Sequence, residues 1–133
     1  LFPRHDYPIS FAESCLELYK ITGNELYKKS CRNWIDIIKK SLPARNGMGA
    51  YAEHYGRVIH FLLSYDNEFM EKSCRELAFL VADEAIRVLY AYDMFRGHPG
   101  ENRYDAVDGV GILSLSLLWL ESGKKPEMMG LFF

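Results

Sequence analysis

Asn24-Glu25-Leu26-Tyr27-Lys28-Lys29-Ser30-Cys31-Arg32 recurs as Asn67-Glu68-Phe69-Met70-Glu71-Lys72-Ser73-Cys74-Arg75, identical at six of nine positions and spaced by 43 residues. A period of this size belongs to helix-pair repeats, in which each pair buries its faces only against its neighbours. The residues upstream of the two copies agree in character: Leu16, Leu18 and Tyr19 before the first, Phe61, Leu62 and Leu63 before the second. A third upstream segment, Leu117 to Gly123, repeats the pattern of Leu18 to Gly23 and ends in Ser-Gly where the first ends in Thr-Gly.

Working outward from the repeat, each unit reads as two antiparallel helices joined by a tight turn. Ser10 as N-cap with Glu13 at the capping-box position opens a first helix over about 10–21, and Gly23 ends it. Asn24 caps a second over about 25–40, with Leu26, Trp34, Ile37 and Ile38 as its apolar stripe. Pro43 and Gly47 break the chain. A third helix over about 50–65 carries Val58, Ile59, Leu62 and Leu63. Asn67 then caps a fourth over about 68–90, with Leu77, Leu80, Val81, Ile86 and Leu89. A loop over 91–103 precedes a fifth helix over about 104–121, apolar almost all round after Val110 and so expected to be buried on more than one side. Residues 124–133 read as the start of a sixth helix, Pro126 being tolerable in a first turn. No segment reads as a strand. The expectation is an all-α fold of antiparallel helical hairpin repeats, with residues 1–133 forming a single domain of about two and a half hairpins.

Composition narrows the function. Sixteen basic and eighteen acidic side chains give a net charge of −2, so, unless charge is strongly segregated, binding driven by phosphate neutralisation is not expected and no nucleic-acid partner is predicted. The longest apolar run, Val107 to Leu120, is interrupted by Asp108, Gly109 and Gly111, so no membrane span is expected. No signal peptide is visible in Leu1-Phe2-Pro3. Cys15, Cys31 and Cys74 are odd in number, form no CxxC pair and sit among apolar neighbours, which reads as buried free thiols. GxSxG, P-loop, GxGxxG and HExxH signatures are all missing from the sequence. The termini, Leu1-Phe2 and Leu131-Phe132-Phe133, are apolar rather than polar caps. That pattern predicts either part of a longer array or pairing with another copy.

The odd-numbered helices of such a stack start on one side, and their starts concentrate ionisable and aromatic residues. Arg4, His5, Asp6, Tyr7 and Glu13 accompany the first; Tyr51, Glu53, His54, Tyr55 and Arg57 open the third; Arg96, His98, Arg103, Tyr104, Asp105 and Asp108 open the fifth. Helix N-termini present free N–H groups and the positive dipole end, which favours polar or anionic ligands. Glu53 and Arg57, at i,i+4, share a face. His54 and Tyr55 are the proton-transfer candidates, and Asp105 and Asp108 are either caps or a general base with its orienting partner. Gly56, Gly109 and Gly111 give up helix propensity, which calls for close packing or room for a ligand. Tyr51, Tyr55 and Tyr104, flat rings next to carboxylates and guanidinium groups, suit the apolar faces of sugar rings, and Arg57, Arg96 and His98 are further binding candidates on the same rim. His98, Asp105 and Asp108 lack a metal-ligand spacing, so neither a metal nor a cofactor is expected.

The turn Tyr19-Lys20-Ile21-Thr22-Gly23-Asn24-Glu25-Leu26-Tyr27 resembles the helical hairpins of (α/α) toroid proteins, the superfamily of six-hairpin glycoside hydrolases, unsaturated glucuronyl hydrolases, sugar epimerases and several polysaccharide lyases. The resemblance covers most of the chain as pattern and implies a partial toroid, about half the hairpins of a closed one. It implies a funnel lined by the starts of the inner helices and an acidic oligo- or polysaccharide as partner; a carbohydrate-active chain would work in the periplasm or outside the cell, and a cytoplasmic setting stays open. As a lyase, the chain would use His54 or Tyr55 to take the proton alpha to a uronate carboxylate that Arg57 or Arg96 neutralises. As a hydrolase, it would pair Asp105 or Asp108 with Glu53. The different-class alternative is a non-enzymatic helical-repeat scaffold that binds a protein.

Overall fold

The computed structural model describes residues 9–41, 49–104 and 108–127. The described chain is helical, with one two-stranded hairpin: α1 (Ile9–Thr22), α2 (Glu25–Ser41), α3 (Ala52–Phe69), α4 (Lys72–Leu89), β1 (Tyr90–Ala91), β2 (Met94–Phe95) and α5 (Val110–Ser122).

Side-chain contacts fix the directions of the helices. Within the first pair, Cys31 Sγ reaches the Ala12 carbonyl and the Lys28 ammonium lies over the Tyr19 ring, so α2 runs antiparallel to α1. Within the second, Tyr55 meets Glu84 while Asp66 meets Arg75, again antiparallel. Between pairs the chain positions advance together. Glu13 meets Arg57 and Tyr19 meets Phe69; Gly56 abuts Leu113 and His60 abuts Trp119. Helices α1, α3 and α5 are therefore parallel and start at the same end.

Helix α3 is central, packing on α1, α4 and α5 with eleven of its eighteen residues buried. Gly56 explains how α5 comes so close. A Cβ there would lie 2.7 Å from the Leu113 backbone nitrogen and 2.8 Å from its Cα, and Ser116 Oγ donates to the Gly56 carbonyl at 2.8 Å. The missing side chain thus serves helix packing. Cys15, Cys31 and Cys74 are buried free thiols, and burial pushes Cys31 and Cys74 up to about 12.

Several sequence expectations need correction. Asn67 does not cap a helix: α3 continues to Phe69, and the turn falls at Met70, which takes the left-handed conformation (φ 54°) and donates its N–H to the Asp66 carbonyl. In the first pair the turn is at Gly23 (φ 67°), and Asn24 Oδ1 does accept the Leu26 N–H. The two copies of the repeated nonapeptide therefore sit about one helical turn out of register. Cys31 and Cys74 are nonetheless both fully buried, because a shift of four residues returns a side chain to nearly the same helix face.

The buried stripe of α2 is Cys31, Ile35 and Ile38, while Leu26 and Ile37 are exposed, as are Leu80 and Ile86 on α4. Ser10 lies inside α1 instead of capping it, and Glu13 turns to α3 rather than back to the cap. Helix α5 begins at Val110, not Tyr104. Only Leu113, Ser116, Trp119 and Leu120 of its thirteen residues are buried, and Leu118 is exposed, so it is covered less than its uniform apolarity predicts. Residues 124–126 are not helical, and 128–133 lie outside the described residues.

The expectation of no strand also fails. Tyr90 pairs with Phe95 and Ala91 with Met94 across a tight turn at Tyr92-Asp93, both with positive φ. Two-residue strands are too short to show alternation, and the turn lacks the Asn-Gly or Asp-Gly signature that marks such hairpins.

Candidate functional site

The starts of α3 and α5 and the segment between β2 and α5 are tied together by backbone contacts. The Ala52 N–H donates to the Gly97 carbonyl at 2.9 Å, and the Gly97 N–H to the Arg103 carbonyl at 2.7 Å. A Cβ on Gly97 would run into the Asp108 side chain, and one on Gly109 (φ 83°) into the Glu53 backbone and Cβ. These two glycines bring Asp108, Glu53 and the His98 segment together at the common start of α3 and α5, the mouth of the helix stack. Gly111, by contrast, faces open space.

Around this mouth the Tyr51 and His98 rings meet edge to face, with centroids 4.8 Å apart. His98 Nδ1 accepts the Gly100 N–H at 2.9 Å, which leaves Nε2 as the protonated nitrogen of the neutral ring. Arg103 reaches both oxygens of the Asp108 carboxylate, at 3.1 and 3.0 Å, and Asp108 is only 6% exposed. This two-oxygen contact holds the Asp108 side chain in place beside the mouth. Glu53 is more open to solvent and lies 3.6 Å from Arg57. Tyr104 is exposed. Arg96 donates to the carbonyls of Val88 (2.7 Å) and Pro99 (3.3 Å), so its guanidinium clamps the end of α4 to the loop.

Tyr55, His54 and Arg57 sit in different surroundings. Tyr55 is buried between α3 and α4: its hydroxyl donates to Glu84 at 2.7 Å and accepts the Ala50 N–H at 3.1 Å. Burial, then the hydrogen bond to Glu84, pushes its pKa up, the opposite of what a catalytic tyrosinate requires. His54 is partly buried, and desolvation lowers its pKa to about 4, which keeps the imidazole neutral at pH 7 and weakly basic. Arg57 gives Nε and Nη2 to Glu13 Oε2, at 3.1 and 2.6 Å. The other Glu13 oxygen lies 3.3 Å from His60 Nδ1. Asp105, together with Arg4, His5, Asp6 and Tyr7, lies outside the described residues.

Sequence reasoning singled out neither His60 nor Glu84 and gave Arg103 no role. His60 was findable, since Glu53, Arg57 and His60 follow i, i+4, i+7 along one face of α3. Glu84 was not, because nothing local marks a carboxylate as the partner of a tyrosine 29 residues away. Among the described residues, no group of three or more His, Cys, Asp or Glu side chains is arranged to hold a metal ion, and no helix is long and apolar enough to cross a membrane. Compared with protein-family models, curated proteins and solved structures, the chain matches none.

Proposed function

We propose that the chain is a carbohydrate-processing module, a partial (α/α) toroid acting on an acidic oligo- or polysaccharide, with Glu53 and Asp108 as its carboxylate pair. The observation that carries this reading is the packing of Gly109 on Glu53: it sets the carboxylate-bearing residue of α3 beside the one that precedes α5, at the common start of the parallel helices. Such a pair hydrolyses a glycosidic bond by protonating the departing oxygen from one side while water adds at the anomeric carbon and surrenders a proton to the other. Asp108, held by Arg103 on both oxygens, is suited to the carboxylate role. Tyr51, His98 and Tyr104 offer ring faces and a hydrogen-bond donor around the same mouth.

Hydrolysis is favoured over elimination by the state of the two lyase candidates. Tyr55 is committed to Glu84, and His54 binds a proton weakly. The test is incubation with uronate-containing polymers, following new reducing ends and the ultraviolet absorbance of an unsaturated product. The reading expects reducing ends without that absorbance, lost in Glu53→Gln and in Asp108→Asn. An unsaturated product would overturn the hydrolytic assignment. Unchanged turnover in both variants would remove the carboxylate pair, and inert polymers throughout would favour the protein-binding scaffold.

A further inference from the structure

The β1–β2 hairpin is built against two ordinary preferences at its tip. Tyr92 and Asp93 both adopt left-handed backbone conformations, φ 55° and 61°, where glycine or asparagine is the usual occupant of a two-residue hairpin turn. Tyr92 is also 82% exposed, flanked by the exposed Tyr90 and Met94. Among the described contacts, none lets the Tyr92 ring offset that strain: the aromatic pair that staples the hairpin is Tyr90 with Phe95, at 5.2 Å. A strained position bearing an exposed ring is better explained by what it meets than by what it holds together.

The hairpin is also joined directly to the mouth described above. The Arg96 N–H donates to the Leu89 carbonyl, closing the hairpin's base, and the next residue, Gly97, is the one bonded to Ala52 at the start of α3. Tyr92 is five residues from Gly97, a reach of roughly 17 Å along extended chain. That reach is the upper limit of their separation, and an oligosaccharide spans any distance up to it.

We propose that Tyr92 is an aromatic platform for a sugar ring of the same saccharide chain, a different unit from the one at the Glu53–Asp108 mouth, and that the unit resting on it is uncharged. This rests on the carbohydrate reading above. The ring face supplies a flat apolar surface for the C–H face of a sugar. The exposed Asp93 carboxylate beside it accepts hydrogen bonds from neutral hydroxyls and repels a uronate carboxylate. The substrate class is thereby narrowed to polymers that carry neutral as well as acidic units.

The test is calorimetric titration with hyaluronan fragments, which alternate uronate and neutral N-acetylhexosamine, from disaccharide to octasaccharide, and with oligogalacturonates of the same lengths. The wild-type protein should bind hyaluronan fragments more tightly as they lengthen, by roughly tenfold overall, with no comparable gain for oligogalacturonates. Tyr92→Asn, which suits the left-handed turn, should abolish the gain, leave disaccharide binding unchanged and raise the melting temperature. Tyr92→Phe should keep the gain. Length dependence in Tyr92→Asn equal to wild type, or lost equally in Tyr92→Phe, overturns the platform. An equal gain with oligogalacturonates overturns the neutral-ring assignment. A wild-type protein that binds no fragment at all sinks the carbohydrate reading itself and this inference with it, an outcome distinct from the preceding ones.

Discussion

His54 makes the folded chain acid-sensitive in a way that can be isolated. Desolvation lowers its pKa from the ordinary 6.5 to about 4. The unfolded chain therefore takes up a proton as the pH falls below 6.5, while the folded chain resists until near 4. Stability contributed by the neutral imidazole is fully present above pH 6.5 and is lost progressively as the pH falls toward 4, below which the loss levels off. At about 1.4 kcal/mol for each pH unit between the two values, the full loss is about 3 kcal/mol, of which about 2 kcal/mol is gone by about pH 5. Urea unfolding at neutral and mildly acidic pH, on the wild-type protein and on His54→Gln, measures it. Carboxylates titrate in both proteins, so their contributions cancel in the difference. The wild-type protein should fall about 2 kcal/mol further than the variant on going from about pH 7 to about pH 5. Parallel curves across that window would refute the reasoning, as would an NMR titration of His54 centred near its ordinary value.

Three further substitutions test the packing that positions the mouth. Gly56→Ala should destabilise by about 1–3 kcal/mol despite its better helix propensity, because the new methyl meets the α5 backbone, which cannot step aside as a side chain would; an unchanged urea midpoint would contradict the α3–α5 contact. Glu13→Gln should destabilise by about 3 kcal/mol by leaving Arg57 beside a neutral amide at the α1–α3 boundary. A double-mutant cycle with Arg57→Met should show strong coupling, and additive effects would break the assignment. Tyr55→Phe should destabilise by about 1–3 kcal/mol, since the buried Glu84 carboxylate loses its short hydrogen bond, while turnover on any uronate polymer, scaled to folded protein, stays unaltered; a specific loss of turnover would return Tyr55 to the catalytic group.

The architecture was legible because it follows from periodicity and from one repeat. Helix existence, the antiparallel pairs and the common start of α1, α3 and α5 need only the apolar spacing and one tight turn within each pair, even though the second turn falls at Met70 rather than before Asn67. Where the reading slipped, the deciding contact was tertiary. Asn67-Glu68 copies Asn24-Glu25 in sequence, yet α3 runs through it because Tyr65 and Phe69 stack on each other, and Phe69 on Tyr19 of α1, which secures one more turn. The start of α5 has a similar cause: Gly109, pressed on Glu53, takes a left-handed conformation, and the α-helix runs from Val110. Sequence spacing cannot weigh a neighbour that arrives from 56 residues away.

The candidate site divides along the same line. Residues next to glycines that allow close approach, namely His98 beside Gly97 and Asp108 between Gly97 and Gly109, come together with Tyr51 and Glu53. Residues chosen only because their type can transfer a proton did not: Tyr55 turns inward because an aromatic at the fourth position of α3 faces α4. Charge carries less positional information than backbone shape does. A glutamate or arginine finds a partner within the reach of its flexible stem, as Arg57 finds Glu13, whereas a glycine that a Cβ would jam holds two chain segments in close register. The glycines around the mouth are therefore better guides to which side chains can act on one ligand than the ionisable residues themselves, and substituting Gly97 with Ala should scatter the cluster without removing any of its members.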